Sequence, residues 1–256
     1  MPPAGLRNSS KMPSTRPTGN PGSARAQARL AEQQAERRRQ RLVLAVAVIG
    51  IIVVVVIAAV VYQSWRAGRK PEAATGQPSF GPVQVTDAQP IVLGKADAPV
   101  TMTLFEDFRC VHCADFEEKL GPTITGLQRD GAVKVELFAL SGVDPEHGSI
   151  SAANAMACAA TTGKGQPFYA SLFANYGMEW SDKQLLELGS QLGLSSDDFT
   201  SCVTGQQHRS WVDSMAAVAN QRNVTATPTV FINDKLQPDA AKWSPDQLKA
   251  AVSAAS

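Results

Sequence analysis

Hydrophobic and polar positions fall into three regimes along the chain. Between Leu42 and Tyr62 the sequence LVLAVAVIGIIVVVVIAAVVY carries no charge. About 20 apolar residues rising 1.5 Å each span roughly 30 Å, the thickness of a bilayer core, so this run predicts a transmembrane helix. A buried core helix is the competing reading, but nothing in the run offers a polar face. A cleaved signal peptide would have a shorter apolar run ending at small residues, whereas this one passes into Gln63-Ser64-Trp65-Arg66. Upstream, residues 1–24 are dominated by Pro, Gly, Ser and Arg and read as disordered. Residues 25–41, rich in Ala, Gln, Glu and Arg, read as a basic helical stalk, which makes 1–41 one polar segment. Downstream, Pro71, Gly76, Pro78, Gly81 and Pro82 mark residues 63–90 as a linker.

The third regime, residues 91–255, alternates strand and helix patterns. Val100–Phe108 (VTMTLFEDF) reads as a buried strand. A helical stretch then runs from Cys110 to a stop at Gly121-Pro122, with a short helix over Ile124–Gln128 and a turn at Asp130-Gly131. Ala132–Leu140 is a second strand, and strand, helix, strand begins a right-handed parallel βαβ unit. Residues of about 148–222 are helical in pattern, with segments near Ile150–Ala160, Pro167–Tyr176, Asp182–Leu192 and Asp197–Gln221. A late strand starts at Thr227-Pro228, Asn233-Asp234 turns, and Ser244-Pro245 caps and opens a last helix. The expected architecture is an α/β sheet domain interrupted by a helical insert and preceded by one membrane span.

Charge sharpens this division. Up to Lys70 there are twelve Lys/Arg against two acids, and from Pro71 onward twelve against twenty-one, so a net charge of +1 hides halves of +10 and −9. The acidic body argues against nucleic-acid binding. Arg25, Arg29, Arg37, Arg38, Arg39 and Arg41 precede the span, and Arg66, Arg69 and Lys70 follow it. Positive-inside bias therefore predicts a cytoplasmic N-terminus and a body outside the cytoplasm. Four cysteines on that side fit an oxidising compartment.

The chemistry concentrates at Cys110-Val111-His112-Cys113. Two cysteines three apart in the first turn of a helix lie close enough to bond. At a helix N-terminus the unpaired backbone N–H groups and the dipole favour a thiolate, and a protonated His112 would add to this. Cys113 falls on the face of Phe116 and Leu120, which predicts a shielded resolving thiol and leaves Cys110 as the nucleophile. Zinc would need four ligands, which His112 cannot help its own neighbours supply in one tetrahedron. Haem attachment would want histidine where Ala114 stands. A purely structural bond would close too small a loop to stabilise much. No metal or other cofactor is expected.

Phe105-Glu106-Asp107-Phe108-Arg109-Cys110-Val111-His112-Cys113, followed by the helical insert and then Ala226-Thr227-Pro228-Thr229-Val230-Phe231-Ile232-Asn233, resembles the DsbA-type thioredoxin-fold family, and most closely its membrane-anchored bacterial branch. The resemblance spans roughly residues 90–255. It implies a thioredoxin fold with the helical domain inserted midway. It also implies a cis Thr227–Pro228 bond opposite the cysteines, where Thr227 would pair with an extended substrate. The activity implied is disulfide introduction into reduced or misfolded secreted proteins, with a membrane partner of the DsbB or vitamin K epoxide reductase type restoring the oxidised enzyme. A reductase or isomerase is the alternative within the class, and a membrane-tethered peptide-binding module is the alternative outside it.

Two departures from the family stand out. Val-His replaces the Pro-His of the best-known members. Leu104 occupies the place where many relatives carry a buried glutamate that relays protons to the resolving thiol. Glu106 and Asp107 read as partly solvated acids at the strand end, either of which could substitute. Cys158 and Cys202, both in the insert, would form a structural disulfide as in this branch, or else remain two separate thiols. Phe168, Tyr169, Phe173, Tyr176 and Trp180 read mainly as core, with a substrate groove as the other possibility. His147 and His208 read as surface histidines.

Overall fold

The computed structural model describes residues 21–256; of the disorder expected for residues 1–24, the part up to residue 20 lies outside the described residues, and residues 21–24 fall in the first turn of a helix instead. It divides into two units, Met1–Tyr62 and Gln63–Ser256. In the first unit the chain is helical from Pro21, within a helix α1 that spans Pro21–Ala67. Its stretch Glu32–Arg66 contains an apolar window long enough to cross a membrane, and none of that window is buried.

The second unit is built on a five-stranded sheet: β1 (Ile91–Leu93), β2 (Val100–Glu106), β3 (Val133–Ala139), β4 (Thr229–Ile232) and β5 (Lys235–Leu236). The spatial order is β1-β3-β2-β4-β5. β2 and β3 run parallel, with Leu104 opposite Leu137, and β4 lies antiparallel to β2, with Leu104 opposite Val230. Central position explains why β2 is buried along almost its whole length, since helices must cover both faces of a sheet with a parallel core.

Helix α2 (Val111–Asp130) fills the crossover between β2 and β3. The sequence placed a stop at Gly121-Pro122, but the helix runs through Pro122 as one 20-residue element. Proline forfeits only one backbone hydrogen bond there. Cys113, Phe116, Leu120, Ile124 and Gln128 form one continuous buried stripe, which holds both halves on the same axis. Gly131 ends it at φ +80°, a left-handed conformation that suits glycine.

The insert comprises α3 (Gly148–Ala160), α4 (Gly165–Ala174), α5 (Asp182–Gln191), α6 (Asp197–Thr204) and α7 (Arg209–Gln221). The expected single helix over Asp197–Gln221 is two, broken at Gly205, which caps α6. Asn154 of buried α3 takes up that break: its side-chain amide donates to the carbonyls of Cys202 and Val203, and its oxygen accepts from the His208 N–H. Cys158 and Cys202 are joined by a disulfide that ties α3 to α6. His208 is half-buried rather than fully at the surface, and burial lowers its pKa. Helix α8 (Pro245–Ala255) closes the chain behind a Ser244–Gln247 capping box.

The segment read as a linker is fastened along the insert. Backbone N–H groups of Glu72, Ala73, Ala74 and Ala88 donate to Asn175, Gln191, Ser171 and Ser214. Pro and Gly in this stretch serve an extended path with side-chain partners, so composition alone did not separate it from a free linker.

Candidate active site

Cys110 sits at the N-cap of α2 in an extended conformation (φ −80°, ψ 123°), at the point where β2 has ended and the first turn of helix begins. The cap leaves first-turn N–H groups without intrahelical partners, and those of His112 and Cys113 are aimed at its sulfur. In this dithiol form the Cys110 pKa is lowered to about 5. The largest cause is the hydrogen bond from the Cys113 thiol, which outweighs the opposing cost of burial; the Thr227 side chain and the two backbone N–H groups add to it. Cys113 is fully buried beneath, and burial followed by its bond to Cys110 drives its pKa far upward. One sulfur is a stable thiolate and the other holds its proton. His112 lies exposed, and what it contributes to the sulfur is its backbone N–H.

Thr227 faces the pair. Its peptide bond to Pro228 is cis, and its carbonyl lies 3.5 Å from Cys110 Sγ. Strand β4, held antiparallel against β2, carries this loop to the cysteines.

Beneath the pair lies a cluster that the sequence misread. Glu106 and Asp107 are each only 1% exposed, not partly solvated. Asp107 is saturated: Oδ1 accepts from Arg109 N (2.8 Å) and Ser149 Oγ (2.7 Å), and Oδ2 accepts from Val143 N (2.9 Å). Glu106 is not. Tyr169 Oη donates to its Oε2, while Oε1 is buried without a partner, as is Oε1 of Glu117 on α2. Period-2 alternation puts Glu106 on the same sheet face as Leu104, about 7 Å further along the strand toward the cysteines. Glu117 had a signal available: it lies four residues after Cys113 on one helical face. Tyr169, on α4, had none. The other insert aromatics are core, Phe168, Phe173 and Trp180 being buried, and only Tyr176 is exposed.

Burial holds the Glu106 pKa well above the usual carboxylate range, with the Glu117 charge adding to it, and raises Glu117 to about 7. A raised folded-state pKa means that the fold keeps protons the unfolded chain has released. Stability from this source is complete below about pH 4.5 and is lost as pH rises through about 7. Oxidised protein, in which the thiols drop out of the titration, should therefore show a falling denaturant midpoint from pH 5 to pH 8. Glu117→Gln should flatten that slope. A midpoint that rises over the interval would contradict the assignment.

A family model described as Thioredoxin matches residues 86–254. The chain belongs to the thioredoxin family. It is 30% identical over 189 residues to disulfide bond formation protein D of Bacillus subtilis (strain 168), covering 70% of this chain and 79% of that protein. The oxidised crystal structure of BdbD from Bacillus subtilis superposes with a TM-score of 0.53 at 25% identity, covering 70% of this chain and 97% of that one. Oxidised DsbA of Mycobacterium tuberculosis gives a TM-score of 0.56 at 26% identity, covering 64% and 91%. Within the thioredoxin family this protein is thus a DsbA-like thiol–disulfide oxidoreductase, with the helical insert of that group.

Proposed function

We propose that the protein is a membrane-anchored dithiol oxidase that passes a disulfide from Cys110–Cys113 to cysteine-containing polypeptides outside the cytoplasm. The observation that carries this reading is the opposed state of the two sulfurs, a thiolate at Cys110 over a buried protonated Cys113. A substrate thiolate attacks Cys110 Sγ of the oxidised pair. The S–S bond breaks, and Cys113 leaves with the electron pair and takes a proton. A second substrate thiolate then attacks the substrate sulfur of the mixed disulfide. Cys110 departs as the thiolate its surroundings stabilise, and the two electrons stay with the enzyme. Stabilising the reduced form in this way makes the disulfide form the stronger oxidant.

Glu106 is the group proposed to exchange the Cys113 proton, because its charge acts on Cys113 and its buried Oε1 is unpartnered. Thr227 and Pro228 are proposed to receive the substrate backbone. Six arginines before the apolar helix against three basic residues after it support a cytoplasmic N-terminus and an extracytoplasmic body. A membrane protein of the DsbB or vitamin K epoxide reductase type is the proposed acceptor of the electrons.

Full-length protein in detergent, equilibrated with glutathione buffers and assayed by thiol alkylation, should have a Cys110–Cys113 potential above that of the glutathione couple. A potential below it would reverse the direction and make the protein a reductase. The absence of any reversible step would leave a peptide-binding module.

A further inference from the structure

A second set of sulfur and nitrogen donors converges within the insert. Cys158 of α3, Cys202 of α6 and His208 at the N-cap of α7 bring two sulfurs and a ring nitrogen within 4.8 Å of one another. The disulfide is not alone in placing them. Asn154, fully buried one turn before Cys158, holds the other two residues by their backbones. Its amide donates to the carbonyls of Cys202 and Val203, and its oxygen accepts from the His208 N–H at 2.9 Å. The Cα atoms of the two cysteines lie 6.0 Å apart. Asp87, in the segment before β1, is near enough for its charge to act on the His208 ring, and its Oδ1 accepts from Ser210 Oγ at 3.1 Å. Sequence spacing hid this cluster, because its members lie 44 and 6 residues apart and belong to three helices.

We infer that Cys158, Cys202 and His208 form a zinc site while the two cysteines are reduced, the state in which the chain is made. The ion holds α3, α6 and the start of α7 together until the disulfide replaces it, a role independent of the oxidase reading. Two thiolates and an imidazole are the donor set that suits a tetrahedral, borderline-soft ion. Adjacent donors around such an ion lie roughly 3.5–3.8 Å apart, at bonds of about 2.3 Å to sulfur and about 2.0 Å to nitrogen. Once the S–S bond is open, the sulfurs have only to part and the ring to close in by about an ångström. The fourth position is left to water, and Asp87 supplies a carboxylate of the kind that orients a ligating imidazole. Binding replaces two S–H bonds by two Zn–S bonds, adds one Zn–N bond and releases two protons. Formation of the staple reverses it. The two thiolates give two electrons to an incoming disulfide, whose sulfurs take up two protons, while the Cys158–Cys202 bond forms and Zn²⁺ departs. Thiolates whose electron pairs are engaged by zinc are also kept from pairing wrongly with Cys110 or Cys113.

The test uses the full-length chain in detergent with Cys110→Ser and Cys113→Ser, so that the staple cysteines are the only ones present. Reduced with a phosphine and exchanged under nitrogen into metal-free buffer, it should take up one Zn²⁺ per chain, read by competition with a chromophoric chelator. Co²⁺ in place of zinc should give a thiolate charge-transfer band and the intense d–d bands of a tetrahedral ion. The same protein left oxidised should take up neither ion. His208→Ala should weaken zinc by roughly a hundredfold, and His147→Ala, at an exposed histidine, should leave the affinity unchanged. No uptake by the reduced chain, equal uptake by the oxidised chain, or an affinity indifferent to His208→Ala would each overturn the site. Folding is followed through the near-ultraviolet circular dichroism of the buried Trp180 and Trp211. Should reduction abolish that signal, zinc must restore it, and failure to do so overturns the site equally. The potential of the wild-type Cys110–Cys113 pair is measured separately, so the oxidase reading survives or fails on its own.

Discussion

Reduced protein treated with iodoacetamide is expected to be alkylated at Cys110 along a titration curve with its midpoint near pH 5, while Cys113 stays unmodified. The Cys113 thiol, the Thr227 side chain and two backbone N–H groups share the thiolate charge, and Cys113 is fully buried. Because the folded-state pKa lies below the ordinary value of 9.0, this thiolate adds stability that is complete above pH 9 and lost as pH falls through about 5. At pH 7 about two pH units of that advantage remain, on the order of 3 kcal/mol. The oxidised form has no thiolate and gains none of it. The pair should consequently be more oxidising than an unperturbed dithiol by roughly 60 mV. Thr227→Val should move the alkylation midpoint upward. A midpoint near 9 in the wild type would remove the main support for an oxidase.

Replacing both Cys158 and Cys202 by alanine should cost about 4 kcal/mol in the chain-entropy account of a loop this long. The two residues lie 44 apart in sequence and both are buried, Cys158 in α3 and Cys202 in α6. For a body of this size the loss corresponds to a fall in Tm of roughly 10 °C, measurable through the buried Trp180 and Trp211. An unchanged Tm would mean that packing alone holds α6 to α3. The bond also brings the half-buried His208 close, its ring nitrogen and the two sulfurs lying within 4.8 Å of one another.

The site was legible where its chemistry is local and hidden where it is not. Cys110 and Cys113 share one helical turn, so spacing alone placed one sulfur at the helix end and the other inside. Val100–Phe108 and Ala132–Leu140 are long apolar runs, and strands β2 and β3 lie within them. Strands β1 and β5, at three and two residues, are too short to leave a periodic signal. Glu106 and Asp107 were misjudged because the groups that bury them are remote: Tyr169 is 63 residues from Glu106, and Ser149 is 42 from Asp107. Pro122 misled for the opposite reason. Its local propensity is unfavourable, and only the stripe from Cys113 to Gln128 carries the helix past it. The break at Gly205 follows from Asn154, a partner about 50 residues upstream.

The order of these parts along the chain governs how the molecule survives its own synthesis. Cys110, Cys113 and Cys158 all leave the ribosome before Cys202, and at 5–20 residues per second the fourth cysteine trails the third by about 2–9 s. During that interval Cys158 has only the redox pair available as a partner within the chain. Thr227, which helps to hold the Cys110 thiolate, follows Cys202, and so does β4, the strand that brings it there. Both halves of the staple are therefore out before the reactive cysteine acquires its full activation. A nascent chain meets the hazard of pairing with itself before Thr227 has joined the groups that hold the Cys110 thiolate.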